Sequence, residues 1–259
     1  MRHHHSNFKK VHTGKVLKDL FWSCARASTP KYFDRAMEEL KKKKASAYTW
    51  VMEAEQAPNH WSRAFFSELL PCDSLTNNNC EVWNYLLCEA RNKPIISMFE
   101  CIRNLLMERI RKNRDKMMKC PTLLCPRIVE KIEKNEKLST NWICKWSGGP
   151  EYQVSGPNVS YVVDLVKKTC ACRVWQISGI PCVHATSAIL FHADKVENHV
   201  HACYKVETYL LAYENILSPI NGPNLWPPTT LPPLNEPYVE AQVGRPKTNI
   251  NKKNDKKKK

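Results

Sequence analysis

Two close pairs of metal-binding residue types, Cys170-Ala171-Cys172 and Cys182-Val183-His184, stand nine residues apart. Together they offer three thiolates and one imidazole, the complete donor set of a tetrahedral Zn²⁺ site with N/S ligands at roughly 2.0–2.3 Å. Read singly, each cysteine is a small hydrophobe of the kind that packs in ordinary cores. Four ligands in two dyads favour the metal instead, and a disulfide pairing is disfavoured because nothing in the chain points to secretion. The spacer 173–181 starts with a short β-prone piece, and Gly179 and Pro181 then reverse the chain so that the dyads meet. Pro181 suits helix entry, and 183–190 reads as a helix with His184 in its first turn. Upstream, 152–154 and 161–165 read as two strands around the turn Ser155-Gly156-Pro157-Asn158. The expected unit is ββα.

The surrounding stretch, Cys170-Ala-Cys-Arg-Val-Trp-Gln-Ile-Ser-Gly-Ile-Pro-Cys-Val-His-Ala-Thr-Ser-Ala-Ile189, resembles the SWIM zinc finger. The Gly-Ile-Pro-Cys-x-His-Ala version is similar to the one carried by plant Mutator-like element transposases and their domesticated relatives. The donor set closes the coordination sphere, so the zinc implied is structural, with no position left for catalysis.

Charge points to a polyanionic partner, and its distribution says more than its total. The chain of 259 residues carries a net +15, and 244–259 alone holds eight basic residues, Arg245, Lys247, Lys252, Lys253, Lys256, Lys257, Lys258 and Lys259, against Asp255, a net +7. With almost nothing apolar to bury, this segment is expected to be disordered and to act as an electrostatic arm on DNA, as a nuclear-import signal, or both. Gly244-Arg245-Pro246-Lys247 resembles the centre of an AT-hook, which reads the narrow A·T minor groove, although Val243 stands where that motif places another arginine. A plain solvated basic tail making sequence-independent phosphate contacts is the simpler reading. No run of eighteen apolar residues exists, which excludes a membrane helix, and the start lacks the apolar stretch of a signal peptide. Twelve cysteines at irregular spacing then fit a reducing compartment; Cys120 and Cys125 read as packed thiols beside Pro121 and Pro126 rather than a second metal site.

The first 118 residues read as helical. Ser28-Thr29-Pro30 supplies a cap and a proline at the first helical position, Phe33, Met37 and Leu40 recur at helical spacing, and four lysines, Lys41 to Lys44, sit at the negative end of the dipole. Ile95, Met98, Phe99, Ile102, Leu105, Leu106 and Ile110 mark a second apolar stripe, read as core, and Arg103, Arg109, Arg111, Lys112 and Arg114 occupy its far face. That face is either solvated or a phosphate-contacting surface. A third helix is expected over 126–137. After the finger, Tyr204, Tyr209 and Tyr213 with Leu210 and Ile216 are expected to form a helix packed on it, or a surface for stacking bases.

These helices extend the resemblance to the Mutator-like transposases. Arg2-His-His-His-Ser-Asn-Phe-Lys-Lys10 resembles the segment after that family's second catalytic aspartate, with His3 at the histidine of its Cys-x-x-His motif. Phe21-Trp-Ser-Cys-Ala-Arg-Ala-Ser28 and Ala47-Tyr-Thr-Trp50 are similar to the family's helical insertion, and Asn78-x-x-Glu81-x-x-Asn84 to the stretch carrying its third carboxylate. The resemblance implies an RNase H-like domain in which three carboxylates hold two divalent metals. It places Glu81 as the third of them and both aspartates ahead of Met1. One carboxylate cannot hold a metal pair, and Asp73 does not supply the missing strands, so Glu81 is expected to be vestigial and the chain not to cut or join DNA by itself.

The expected fold is α+β: a mainly helical remnant of the transposase domain in 1–120, a helical connector in 121–149, a small ββα finger in 150–192, a helical segment packed on it in 193–218, a Pro-rich linker in 219–243 and the basic tail in 244–259. Three functions fit. The chain is a nuclear, DNA-associating zinc protein; or part of an active transposase whose front part lies elsewhere; or a module whose finger docks a protein partner. Association with full-length transposase relatives is a further expectation, because apolar faces in 15–118 would lack their sheet.

Overall fold

The computed structural model describes residues 2–53, 57–69, 71–75 and 79–228. They form a mostly helical α+β chain with one small antiparallel sheet, and two separate hydrophobic cores. The basic tail in 244–259, including Arg245, Lys247 and the later lysines, lies outside the described residues, as does most of the Pro-rich stretch.

The first core belongs to four helices, α1 (Arg2–Val11), α2 (Lys15–Arg26), α3 (Pro30–Lys43) and α4 (Ala45–Glu53). The start of α3 follows from its sequence: the Thr29 side chain accepts the amide of Tyr32 at 3.2 Å and Pro30 takes the first helical position. Phe33, Met37 and Leu40 are buried as their spacing requires. They close on Phe8, Phe21 and Val51, with the ring of Trp61 stacked on Phe21 at 5.8 Å. Ser62 holds this Trp61 segment in place by donating to the Cys24 carbonyl at 2.8 Å.

The helices α5 (Asn79–Leu86) and α6 (Ile95–Met118) follow. Here the structure departs from expectation. The apolar stripe of α6 is not core: Ile95, Ile96 and Phe99 are 64, 54 and 60 % exposed, the remaining stripe residues are half-buried, and only Met117 is buried. Periodicity identified the helix correctly, but a stripe becomes core only when something covers it. α6 is met by the turn at 90–92 and by α10 (Val206–Ala212), both too short to do so. The segment 193–218 accordingly divides. Val196, Val200 and Tyr204 pack into the finger core, whereas α10 turns to α6, where Asn113 donates to the Tyr213 hydroxyl at 3.1 Å. Tyr209 and Tyr213 stack on each other at 4.8 Å.

The second core is the finger. Helix α7 (Pro126–Ser139) opens on Pro126 and buries Ile128 and Ile132 against α9 (Val183–Phe191). Between them lie β1 (Ile143–Trp146), β2 (Glu151–Ser155), β3 (Ser160–Asp164) and β4 (Thr169–Cys170), a meander in the order β1-β2-β3-β4. Register pairs Cys144 with Val154, Tyr152 with Val163, and Val163 with Cys170. The expected pair β2 and β3 therefore gains a strand on each side, and β1 replaces the second half of the helical connector. The β-prone spacer is also corrected: 174–178 is a short helix, α8 (Val174–Ser178), entered through Arg173 at φ 59° and left through Gly179 at φ 71°. A helical turn shortens the path between the dyads, and it buries Trp175 and Ile177. Gly179 is required twice over, since a Cβ there would also stand 2.8 Å from the side chains of His201 and Pro71.

Two side chains tie the finger to the helices. The hydroxyls of Tyr161 on β3 and Tyr32 on α3 are hydrogen-bonded. Arg173 spreads its guanidinium over the carbonyls of Ala64 (2.6 Å), Phe66 (3.2 Å) and Ser28 (3.3 Å) and pairs with Glu68 at 2.7 Å. Four acceptors for one cation outweigh the left-handed backbone that Arg173 adopts, which costs on the order of 1 kcal/mol. Replacing Arg173 with methionine is expected to lower stability by about 2 kcal/mol and to speed amide exchange across 62–68, leaving zinc content unchanged. Hydrogen-exchange mass spectrometry checks this, and unaltered exchange in that strap would remove Arg173 as a tether.

Candidate metal centre

Each donor is placed by a different element. Cys170 ends β4, Cys172 follows two residues later, Cys182 caps α9, and His184 lies in the first turn of that helix. The peptide of Cys170 is clamped on both sides by one side chain: its amide donates to Gln176 Oε1 at 3.2 Å, and Gln176 Nε2 donates to its carbonyl at 3.1 Å. The chain then bends back through Arg173 N–H to Cys170 C=O at 2.8 Å. On the other side, the amide of Ala185 donates to Cys182 Sγ at 3.4 Å, so a helix N-terminus faces the sulfur and favours its thiolate. Asn135 on α7 donates to the Pro181 carbonyl at 2.9 Å and fixes the approach to this dyad.

The four donor atoms lie within 4.8 Å of one another, with the three cysteines buried. Nδ1 of His184 is the nitrogen turned inward, 3.6 Å from Cys170 Sγ and 3.8 Å from Cys182 Sγ. A tetrahedral ion with metal–sulfur and metal–nitrogen bonds near 2.3 and 2.0 Å requires edges of about 3.6 Å between such atoms. The cluster fits Zn²⁺ in both donor type and dimension.

Electrostatics make the same point. Hydrogen bonds from Cys170 and Cys172 hold the Cys182 thiol well below its usual range. Hydrogen bonds to Cys170 and Cys182, followed by burial, push the Cys172 thiol up. Three sulfurs share one dry volume, so they cannot all ionise beside one another unless a cation compensates them. A dication lets all three become thiolates, and its binding must release protons.

His184 is held by two rings. Tyr161 stacks on it at 3.9 Å with 20° between planes, and Trp142 meets it edge-on at 4.2 Å. Trp142 can lie there because residue 156 is glycine: a Cβ at Gly156 would stand 2.8 Å from the indole. Neither ring was singled out as part of the site from sequence, and neither was Gln176 or Arg173. Residue type and spacing disclose donors, whereas these partners are recruited from other elements by the fold. Trp142 and Tyr161 reach the site only once β1 and β3 join the sheet.

The other expected residues lie apart. Glu81 is in the first turn of α5, exposed, 2.9 Å from Nε2 of His3. Among the described residues it joins no group of three metal-capable side chains; the Cys₃His cluster is the one such group. Cys125 packs at the edge of the finger core, and Cys120 bonds to Thr122.

Substituting Cys172 with serine is expected to abolish zinc binding and unfold the finger, and native mass spectrometry of the wild-type chain to give one zinc. Tyr161→Ala should weaken zinc affinity by about tenfold or more through loss of the stacked ring, whereas Tyr161→Phe keeps the ring and most of the affinity. Competition with a chromophoric chelator reads both. Because every donor must lose its proton to bind, the bound zinc should become easier to strip as pH falls.

No curated protein and no solved structure matches the chain. The family model described as the SWIM zinc finger matches residues 152–192, which include all of β2 but its first residue, β3, β4, α8, α9 and all four donors. This part of the chain is a SWIM zinc finger.

Proposed function

We propose that the chain is a nuclear, DNA-associating protein organised by a structural zinc finger, descended from a Mutator-like transposase and not catalytic by itself. The observation that carries this reading is the buried cluster of Cys170, Cys172, Cys182 and His184, whose four donors fill a tetrahedral sphere and leave no place for a substrate. Zinc in such a site contributes folding free energy, on the order of 10 kcal/mol, to a unit with a small core. It supplies a fixed scaffold rather than a reaction.

DNA enters through charge. The net +7 of 244–259, carried by Arg245, Lys247, Lys252, Lys253 and the lysines from 256 to 259, suits phosphate contacts that are independent of sequence, and such a run also serves as a nuclear-import signal. The transposase descent rests on the motif resemblances around His3, 21–28, 47–50 and Glu81. The non-catalytic reading rests on chemistry: Glu81, exposed and paired with His3, is a single carboxylate where a two-metal centre needs several. The alternative, an active transposase, needs two further carboxylates beside Glu81.

Protein docking is the second reading, and exposed apolar side chains favour it. Ile143, Trp146 and Val162 are exposed on the finger's sheet, and the uncovered stripe of α6 suits association with a full-length relative.

One preparation separates these readings: zinc stoichiometry by native mass spectrometry, with duplex DNA binding followed against salt before and after chelation. One zinc with steep salt dependence that survives chelation assigns DNA affinity to the tail. Weakening on chelation makes the finger part of the interface. No DNA binding at low salt overturns the DNA reading and leaves protein docking.

A further inference from the structure

The segment 2–53 holds twelve basic and five acidic residues, a net +7 equal to that of the tail. The fold concentrates this excess. α2 and α3 are packed neighbours joined by a short link, 27–29, and so run antiparallel, which sets the start of α2 beside the end of α3. α1 ends at Val11, close before Lys15, so its last turn shares that end. Lys9, Lys10, Lys15, Lys18 and the lysine run 41–44 are all exposed there. Their proximity is felt by the histidines beneath them: after burial, Lys18 and Lys9 lower the proton affinity of His5, and Lys44 lowers that of His12.

Two observations separate this end from an ordinary solvated surface. Among the described residues none of these eight lysines has an ion-pair partner, whereas on α6 two cations pair within their own helix, Arg111 with Asp115 at 2.8 Å and Lys112 with Glu108 at 2.7 Å. α6, with six basic and three acidic residues, is thus partly neutralised within its own helix, and the eight lysines of the bundle end are not. Secondly, lysines at the ends of α1 and α3 complement the helix dipole, but Lys15 and Lys18 stand in the first turn of α2, at its positive end. That turn has no acidic residue, and its cap, Gly14, offers no side-chain hydrogen bond. Helix stability does not account for those two lysines.

Three packed helices 8–10 Å apart present a face about 20 Å wide, comparable to the width of a nucleic-acid duplex. Phe8, Phe21 and Phe33 are buried, and the half-buried ring of Tyr48 lies under the Lys41 ammonium at 5.3 Å, so the face offers charge rather than a protruding ring to a bilayer or to bases. We propose that the lysine-rich end of the α1–α3 bundle is a docking surface for the phosphate backbone of double-stranded nucleic acid, separate from the tail. It rests on the DNA-associating reading given above.

The test uses the full zinc-loaded chain and a short duplex of arbitrary sequence, with anisotropy measured across a salt series. The variant K15Q/K18Q/K41Q/K42Q should lower the slope of log K against log salt by about 2–3 and weaken binding at least tenfold near 0.1 M salt. Removing the same charge from α6, in R109Q/R111Q/K112Q/K116Q, should change the slope by less than 1. The loss should recur in a chain whose tail lysines are all glutamine. In the unaltered chain, duplex should protect Lys15 and Lys18 from acetylation, a readout that needs no variant. An unchanged slope, an equal loss from the α6 set or no protection overturns the proposal. So does a result in which phosphatidylserine vesicles, and not duplex, require these lysines. If tail neutralisation alone abolishes duplex binding, the DNA reading stands and this surface falls; if the unaltered chain binds no duplex, both fall.

Discussion

The finger depends on bringing three sulfurs and one imidazole to a single point. No apolar contact would assemble that group, since three buried thiols oppose one another's ionisation and a neutral imidazole gains little from their company. The fold accepts the arrangement because a cation resolves it. The local features of the finger follow from that point: the short helix α8 brings the second dyad back, Gln176 clamps the first, and the start of α9 turns its amides toward Cys182. What looks like a compact β-meander with two helices is a scaffold for one coordination sphere.

The connection outward is equally specific. Arg173 leaves the chain directly after a donor and ends among carbonyls of the helical part, and Tyr161 lies on the donor imidazole while its hydroxyl reaches Tyr32. Both tethers start within one residue or one ring of the metal-facing atoms. The dyads and the bundle are thereby linked through a few named polar contacts.

The legible part of this architecture was the part encoded in residue identity. Donor residues, the cap at Thr29, the proline that opens α7 and the buried faces of α3, β2 and β3 all follow from chemistry that a single position or a short period carries. The less legible parts were decided by tertiary company. β1 is a strand because β2 offers it an edge, although its neighbours read as helix. The spacer is helical because the dyads must converge, although Val174, Trp175 and Ile177 favour strand. The α6 stripe has the period of a core helix and yet no cover, since periodicity records what a helix offers and not what arrives to meet it. Tyr209 in α10 and Tyr213 just after it carry no signal for choosing α6 over the finger.

The core around the metal is wider than the match to known fingers. Leu124, Ile128 and Ile132 come from before it, and Val196 and Val200 from after it, yet all five are buried in the same cluster as Cys170 and Trp175. Trp142, whose indole borders the donor imidazole, also lies outside the matched stretch. The unit of recognisable sequence and the unit of folding are therefore different objects here. A recombination event that carried only 152–192 into another protein would transfer every ligand but leave behind much of the dry wall that keeps water from them. Grafted with 124–204, the finger would bring its own interior and leave behind the partners of Arg173, Tyr161, Lys131 and the Ile177 carbonyl.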